Sequence, residues 1–308
     1  MTRVIHWTPE IEPLGPCVVA VGVFDGVHLG HQELLRDALD IASARAVLSV
    51  ALTFDRDPDQ VVHPATAMPQ LLDLEDKLTL LAVQGVDVVL VVPFTERLAA
   101  TAPLVFLDEV LLRAMTPVAV VVGSDFRFGH RAEGDVRVLT RYGAAHGFTV
   151  LAHELVSHAG EPITSTRIRR LVAAGRVSEA AGLLGRPHRV RGVVVTGRGE
   201  GAELGAPTAN LVTAPFAAIP ADGVYAGRTE VDGVAYACAV SVGVPPSFPE
   251  ATAELEAHLI GYRGDLYGRS LVIEFLERLR PLRRFDDTTE LAAAIRADIE
   301  QVRHLVGP

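Results

Sequence analysis

A chain of 308 residues is longer than one hydrophobic core usually spans, so two domains are expected. With 49% hydrophobic and only 21% charged residues it is not a disordered chain, and a net charge of −10 argues against general affinity for nucleic acid or an anionic membrane. Cys17 and Cys238 are too few and too far apart in sequence for a disulfide framework or a cysteine zinc site, which points to a reducing cytoplasm.

The first residues run from Met1 through Trp7 into Pro9, Glu10 and Glu12 rather than into a long apolar segment, so no signal peptide is expected. Residues 18–23 are an apolar run short enough for a buried strand. The run breaks at Phe24-Asp25-Gly26, and His31 is read as opening an amphipathic helix with Leu34, Leu35, Ala38 and Leu39 on one face. Unpaired N–H groups at such a helix start suit a phosphate. Two histidines in the spacing His-x-Gly-His add ring donors where charge develops during phosphoryl or nucleotidyl transfer.

Residues 46–54 read as a second strand ending in Asp55-Arg56-Asp57-Pro58. A helix is predicted over 74–84, a strand over 86–92, a helix over 102–115 and a strand over 118–122 that runs into Gly123-Ser124-Asp125-Phe126-Arg127-Phe128-Gly129. The apolar runs at 86–92 and 118–122 are far too short to cross a membrane. Strands alternating with helices predict an open, right-handed parallel sheet, with ligands beyond the carboxyl ends of its strands. Three loops carry polar or glycine-rich sequence at that edge: 24–31, 55–58 and 123–129. Further on, Ser165 or Thr166 can cap a helix while offering a hydroxyl to phosphate, and Arg169 supplies a fork of donors.

Leu183-Leu184-Gly185-Arg186-Pro187-His188 closes a helical segment with Gly and Pro, which places a domain boundary between residues 1–186 and 187–308. Beyond it, residues 190–196, 224–230, 235–242, 255–260 and 270–276 have strand character. With turns at Asp222-Gly223, Asp232-Gly233 and Gly264-Asp265, they predict a small antiparallel β-barrel. Asp287-Thr288-Thr289-Glu290 resembles a capping box. The helix it opens carries Leu291, Ile295, Ile299, Val302 and Val306 in one stripe, predicted to pack on the barrel.

The string Phe24-Asp25-Gly26-Val27-His28-Leu29-Gly30-His31-Gln32 resembles one family of nucleotidylyltransferases, the bacterial bifunctional riboflavin kinase/FAD synthetases. The stretches 122–129, 163–169 and Gly205-Ala206-Pro207-Thr208-Ala209-Asn210 carry the same resemblance, which extends from about Val18 to Val302. It implies a Rossmann-like FMN adenylyltransferase domain followed by a β-barrel riboflavin kinase domain. The substrates and products would be riboflavin, FMN and FAD, with ATP as co-substrate and Mg²⁺ as cofactor.

In the first domain the resemblance makes His28 and His31 catalytic and puts Gly22, Phe24, Asp25, Gly30 and Asp125 around ATP. It puts Ser165, Thr166 and Arg169 on the triphosphate and Phe128 on the flavin. In the second, Pro-Thr-Ala-Asn implies Thr208 and Asn210 on Mg²⁺ and the ATP phosphates beside Gly205, with Tyr267 on the flavin. Glu274, in Ile273-Glu274-Phe275, is assigned as the carboxylate that takes the proton of the ribityl 5′-hydroxyl. The partners implied are small molecules, with no nucleic acid and no membrane, and a weak homo-oligomer is left open.

The chain departs from the family pattern in places. Arg56-Asp57-Pro58 stands where the family has Pro-His-Pro, Ala202 and Ala206 replace an Arg and an aromatic, and Ser241-Val242-Gly243 with Pro246-Ser247-Phe248 replaces Asn-x-Gly and Pro-Thr-Phe. These changes keep two other readings open: a paralogue with one weakened activity or another flavin or nucleotide, and a flavin-binding module without catalysis.

Overall fold

Runs of small and β-branched apolar residues, buried on both faces, form the centre of the first half. The computed structural model describes residues 1–197, 206–243, 255–285 and 287–307. By backbone packing the chain divides into two units, Met1–Met68 with Leu74–Thr164, and Pro69–Asp73 with the chain from Ser165 onward.

In the first unit, β1 (Arg3–His6), β2 (Pro16–Val21), β3 (Leu48–Phe54), β4 (Val88–Val92), β5 (Thr116–Gly123) and β6 (Thr149–His153) form one parallel sheet in the order β1-β4-β3-β2-β5-β6. Val88–Val92 is buried at every position, as a central parallel strand must be when both faces are covered. The helices α1 (Leu29–Arg45), α2 (Leu74–Val83) and α3 (Val136–His146) belong to this unit. The strand order reverses at β2, which has β3 on one side and β5 on the other. Its carboxyl end is therefore the place where such a sheet opens a crevice.

The helix predicted over 102–115 is interrupted: an α turn at Pro103–Phe106 continues as a wider π-type segment at Leu107–Leu112. Within that segment Asp108 accepts a hydrogen bond from the Tyr142 hydroxyl of α3. The strands β1 and β6 at the two edges carry exposed positions and lack the uniform apolar run of the centre.

In the second unit, α4 (Ser165–Ala173) and α5 (Val177–Leu184) precede a closed barrel of β7 (His188–Val195), β8 (Ala209–Thr213), β9 (Gly223–Val231), β10 (Val234–Val242), β11 (Leu255–Leu259) and β12 (Ser270–Arg280). All pairings are antiparallel, and β7 closes the barrel by pairing with both β8 and β12. Alternate residues of β7 and β11 are buried, so each strand shows one face to the core and one outward. The strand predicted over 270–276 runs on to Arg280, with two register irregularities against β9 that let a long strand bend around the barrel.

The terminal helix α6 (Thr288–Val306) starts as predicted, with Asp287 Oδ1 accepting from the Glu290 N–H at 2.7 Å. Its apolar stripe contains one acid. Asp298 is 7% exposed and receives the Arg280 guanidinium, Nε at 2.9 Å and Nη2 at 2.7 Å. Cys17 and Cys238 are both free and buried, and burial raises both thiols, Cys17 to about 12.

The first residue of the barrel sets a pH limit. His188 is 2% exposed, and its Nε2 donates to the Ala218 carbonyl at 2.7 Å, so Nε2 carries the hydrogen. Burial pushes its pKa down from 6.5 to about 4 despite that bond. Between those values the unfolded imidazole takes up a proton that the folded one refuses. Stability should therefore be fully present above pH 6.5 and fall by about 3 kcal/mol as the pH drops to 4. Urea unfolding of the wild type and His188→Gln across pH 4–7 should give a shallower slope for the variant, and identical slopes would refute the assignment.

Candidate active sites

At the carboxyl end of β2 the chain turns through backbone that side chains rarely adopt. Phe24, Gly26 and Val27 have φ of 54°, 83° and 39°. For a β-branched residue like Val27 this is a cost that the surroundings must impose. They do so with the Val27 N–H on the Phe24 carbonyl at 3.1 Å and the Gln32 amide on the Val27 carbonyl at 2.9 Å. Phe24 and Val27 are buried beneath the turn.

The helix begins two residues earlier than the sequence suggested. His28, in extended backbone, caps α1 by accepting the His31 N–H on its own Nδ1 at 3.3 Å. An acceptor at Nδ1 leaves the proton of the neutral ring on Nε2, so His28 presents a donor there. The two imidazoles stack at 3.6 Å and 15°, and Phe24 meets His31 edge-on at 5.3 Å. No acid lies in the first turn of α1, so the positive end of the helix dipole is left for an anion. A Cβ on Gly30 would come within 3.3 Å of the His28 ring, and one on Gly22 within 3.2 Å of the Phe24 ring.

The neighbouring loop explains the departure at Asp57. Its carboxylate is 9% exposed and accepts from the Asp59 N–H at 3.1 Å, while Asp55 accepts from the Phe94 N–H at 2.8 Å. Facing them is Lys77 of α2, which the sequence reading did not single out. It is 4% exposed, and its Nζ donates to the carbonyls of Phe54 at 2.6 Å and Val23 at 3.3 Å. Burial pushes its pKa down to about 8, against the pull of Asp25, Asp57 and Asp55. At neutral pH the fold holds this ammonium at a cost of about 3 kcal/mol relative to water.

At the end of β5, a Cβ on Gly123 would lie 2.9 Å from Asp125 Oδ1, so a larger residue there would displace the Asp125 side chain. Asp125 itself is exposed. Phe128 is only 7% exposed and packs into the core beside Phe106. Phe126 stacks on it at 5.4 Å, and this half-buried ring is the outer one of the pair. Ser165, Thr166 and Arg169 fall in the second unit, on α4, whose buried side is Ile168 and Val172.

On the barrel, Asn210 alternates with the core residues Ala209 and Leu211 and is itself only 9% exposed, and the half-buried Thr208 directly precedes β8. A Cβ on Gly197 would sit 2.0 Å from Asn210 Nδ2, so the amide lies directly on glycine backbone. His258 of β11 donates from Nδ1 to the Pro207 carbonyl at 2.8 Å and braces the segment. Gly205, Ala202 and residues 246–248 lie outside the described residues. Ala206 is 3% exposed, so its small side chain lines no open space. Tyr267 is 63% exposed, its N–H held by Asp265 Oδ1 at 2.9 Å.

Glu274 is not placed with Thr208 and Asn210. It pairs in register with Arg189, six residues along β7 from Val195, the partner of Asn210, a separation of about 20 Å. Its carboxylate receives Arg228 Nε at 2.5 Å. The carboxylate that stands directly opposite Asn210 is Glu256, which also pairs with Ser241 across the next strand. Opposed residues of an antiparallel pair lie side by side. Sequence reading missed Glu256 because Leu255-Glu256-Ala257 looks like any half-buried strand, and only the register identifies it.

Known proteins agree with this two-part organisation. The family model for FAD synthetase matches residues 10–167 and that for riboflavin kinase matches 184–306. The bifunctional riboflavin kinase/FMN adenylyltransferase of Pseudomonas fluorescens is 36% identical over 95% of this chain and 94% of its own. That of Escherichia coli K12 is 34% identical over 100% and 98%. A solved structure described as a macrolide-efflux protein from Streptococcus pneumoniae superposes with TM-score 0.86 at 30% identity, over 97% of this chain and 98% of that one. Among the described residues no helix is long and apolar enough to cross a membrane.

The His28–Gly30 contact gives a test of the turn. Gly30→Ala should displace the His28 ring by a few tenths of an ångström and slow nucleotidyl transfer about tenfold or more. The melting temperature should stay close to that of the wild type. An unchanged rate in the folded variant would show that the ring position does not matter.

Proposed function

The chain belongs to the bifunctional riboflavin kinase/FMN adenylyltransferase family, and from that premise we propose which of its residues carry each reaction. The chain phosphorylates riboflavin to FMN and adenylates FMN to FAD. The division of labour we propose follows residues 1–186 for adenylation and 187–308 for phosphorylation.

In adenylation a phosphate oxygen of FMN attacks the α-phosphorus of ATP, and the α–β bond breaks to release pyrophosphate. The nucleophile is already ionised, so the site needs donors and no strong base. The stacked His28 and His31 at the start of α1 are the observation that supports this role, with His28 donating from Nε2. Gly22, Phe24, Asp25 and Gly30 shape the turn, Asp125 lies at the neighbouring strand end, and the Phe126–Phe128 stack offers the flavin an aromatic face. Ser165, Thr166 and Arg169 are assigned to the triphosphate residue by residue, from the family pattern.

In phosphorylation the nucleophile is a neutral hydroxyl, which must lose a proton as it attacks the γ-phosphorus. We assign that proton to Glu256 in place of Glu274, on the register that sets it opposite Asn210. Thr208 and Asn210 are neutral oxygen donors, and among the described residues no cluster of three or more His, Cys, Asp or Glu could hold a metal. That donor set fits Mg²⁺, which takes one or two protein oxygens and completes its shell from phosphates and water. When bound, Mg²⁺ would neutralise charge on the transferring phosphoryl group. Tyr267, exposed on its turn, is assigned to the flavin.

Separate variants distinguish the sites. Glu256→Gln should lower riboflavin phosphorylation by roughly 10²–10⁴-fold while supplied FMN still becomes FAD. Glu274→Gln should leave phosphorylation within a few-fold, since an ion pair at a half-exposed position contributes little. His31→Ala should slow FAD formation and spare FMN formation. All are read by chromatography of products from proteins checked by circular dichroism. Loss of phosphorylation in Glu274→Gln but not in Glu256→Gln would restore the assignment to Glu274.

A further inference from the structure

Lys77 is the one lysine of the whole chain; the remaining 27 of its 28 Lys and Arg residues are arginine. It is also almost completely buried, at 4% exposure. A chain that uses guanidinium everywhere else has an amine at the one cationic position enclosed in its first unit. Guanidinium is a wide, planar fork, whereas ammonium is a compact point charge with three donors.

What the amine touches is specific. Its two carbonyl acceptors lie at the ends of neighbouring strands: Phe54 is the last residue of β3, and Val23 stands two residues past the end of β2. Val23 immediately precedes the left-handed turn that carries His28, and Phe54 immediately precedes the loop that carries Asp55 and Asp57. The charged groups facing the amine are Asp25 from the turn and Asp57 and Asp55 from the loop. An ammonium that is harder to hold in the fold than in water does not stabilise the domain by its charge, and a local cost of that kind is expected at a functional edge.

We propose that Lys77 is a positioning residue for adenylyl transfer: its ammonium ties the ends of β2 and β3 together through the Val23 and Phe54 carbonyls, with Asp25 and Asp57 as its charge partners, and so sets the turn bearing His28 and His31. The proposal rests on the reading of the first domain as the adenylation site. It makes the substitution of Asp57 for the family's histidine part of a balanced pair rather than a lesion.

A chain with one lysine permits a direct test. In full-length protein made with ¹⁵N,¹³C-lysine, the single side-chain resonance should titrate at about 8. In Asp57→Asn the midpoint should move lower, because an attractive charge has gone. FMN adenylation by the wild type should lose activity through the same pH range as the amine loses its proton. In Lys77→Arg, whose guanidinium stays protonated, that alkaline fall should vanish whatever the absolute rate. Lys77→Met should reduce kcat for FMN adenylation at least tenfold, with riboflavin phosphorylation within twofold of wild type.

An alkaline fall that persists in Lys77→Arg, or a midpoint unmoved by Asp57→Asn, overturns the proposal, and these two variants decide it even if Lys77→Met does not fold. Folded Lys77→Met with wild-type adenylation, or with both reactions lost together, also overturns it. A wild type that makes no FAD from FMN and ATP overturns the reading of the domain itself, whereas a competent wild type beside a competent Lys77→Met refutes only the lysine.

Discussion

The carbonyl of Val23 is where the first unit commits its geometry. It lies two residues past the strand buried at the sheet's switch point, and the next residue is already in left-handed backbone. Two side chains from elsewhere in the unit hold it, the Thr53 hydroxyl at 3.0 Å and the Lys77 ammonium at 3.3 Å. The turn that follows is short and tight enough for His28 to cap the helix itself. A serine cap would satisfy the same N–H but would leave no ring to stack on His31. The strain of Phe24 and Val27 is thus tied to a particular arrangement of two imidazoles at an uncompensated helix start.

The two reactions set opposite demands, and under the proposed assignment the two units meet them with different structure. Transfer to a phosphate needs positive potential and rigid donors, which the carboxyl edge of a parallel sheet supplies through helix N-termini. Transfer to a hydroxyl needs a carboxylate beside the phosphate-binding oxygens, and a barrel strand pair supplies that through register. Asn210 and Glu256 lie on adjacent strands because the chain returns antiparallel, and Thr208 directly precedes the first of them. A one-residue slip would turn Glu256 into the core, so the same alternation that buries Leu255 and Ala257 fixes the carboxylate outside.

Much of this was legible in the sequence because it is carried by local pattern. Apolar runs at strand length, Gly-Pro at Gly185–Pro187, and Asp287 three residues before Glu290 each determine a nearby hydrogen bond or break. The parallel sheet, the barrel and the terminal helix followed. The strands Arg3–His6 and Thr149–His153 were missed, since edge strands need not be apolar, and Ala209–Thr213 was hidden because Pro-Thr-Ala-Asn reads as a turn. The candidate sites divided the same way. His28 and His31 are close in sequence and could be paired by spacing. Glu256 meets Asn210 only through a non-local strand pairing, and Lys77 meets Val23 and Phe54 across 54 and 23 residues.

How a chain of net charge −10 handles polyanionic substrates follows from where its acids are used. Near the β2 edge the carboxylates are spent internally. Asp55 receives the Phe94 N–H and Asp57 the Asp59 N–H. Asp25 and Asp57 also face the buried ammonium of Lys77. An acid that faces the Lys77 ammonium contributes less repulsion to an incoming phosphate, while the first turn of α1 carries no acid. Net charge therefore describes the outer surface and its solubility, and the potential at the helix start is set locally, by which groups the fold has already paired.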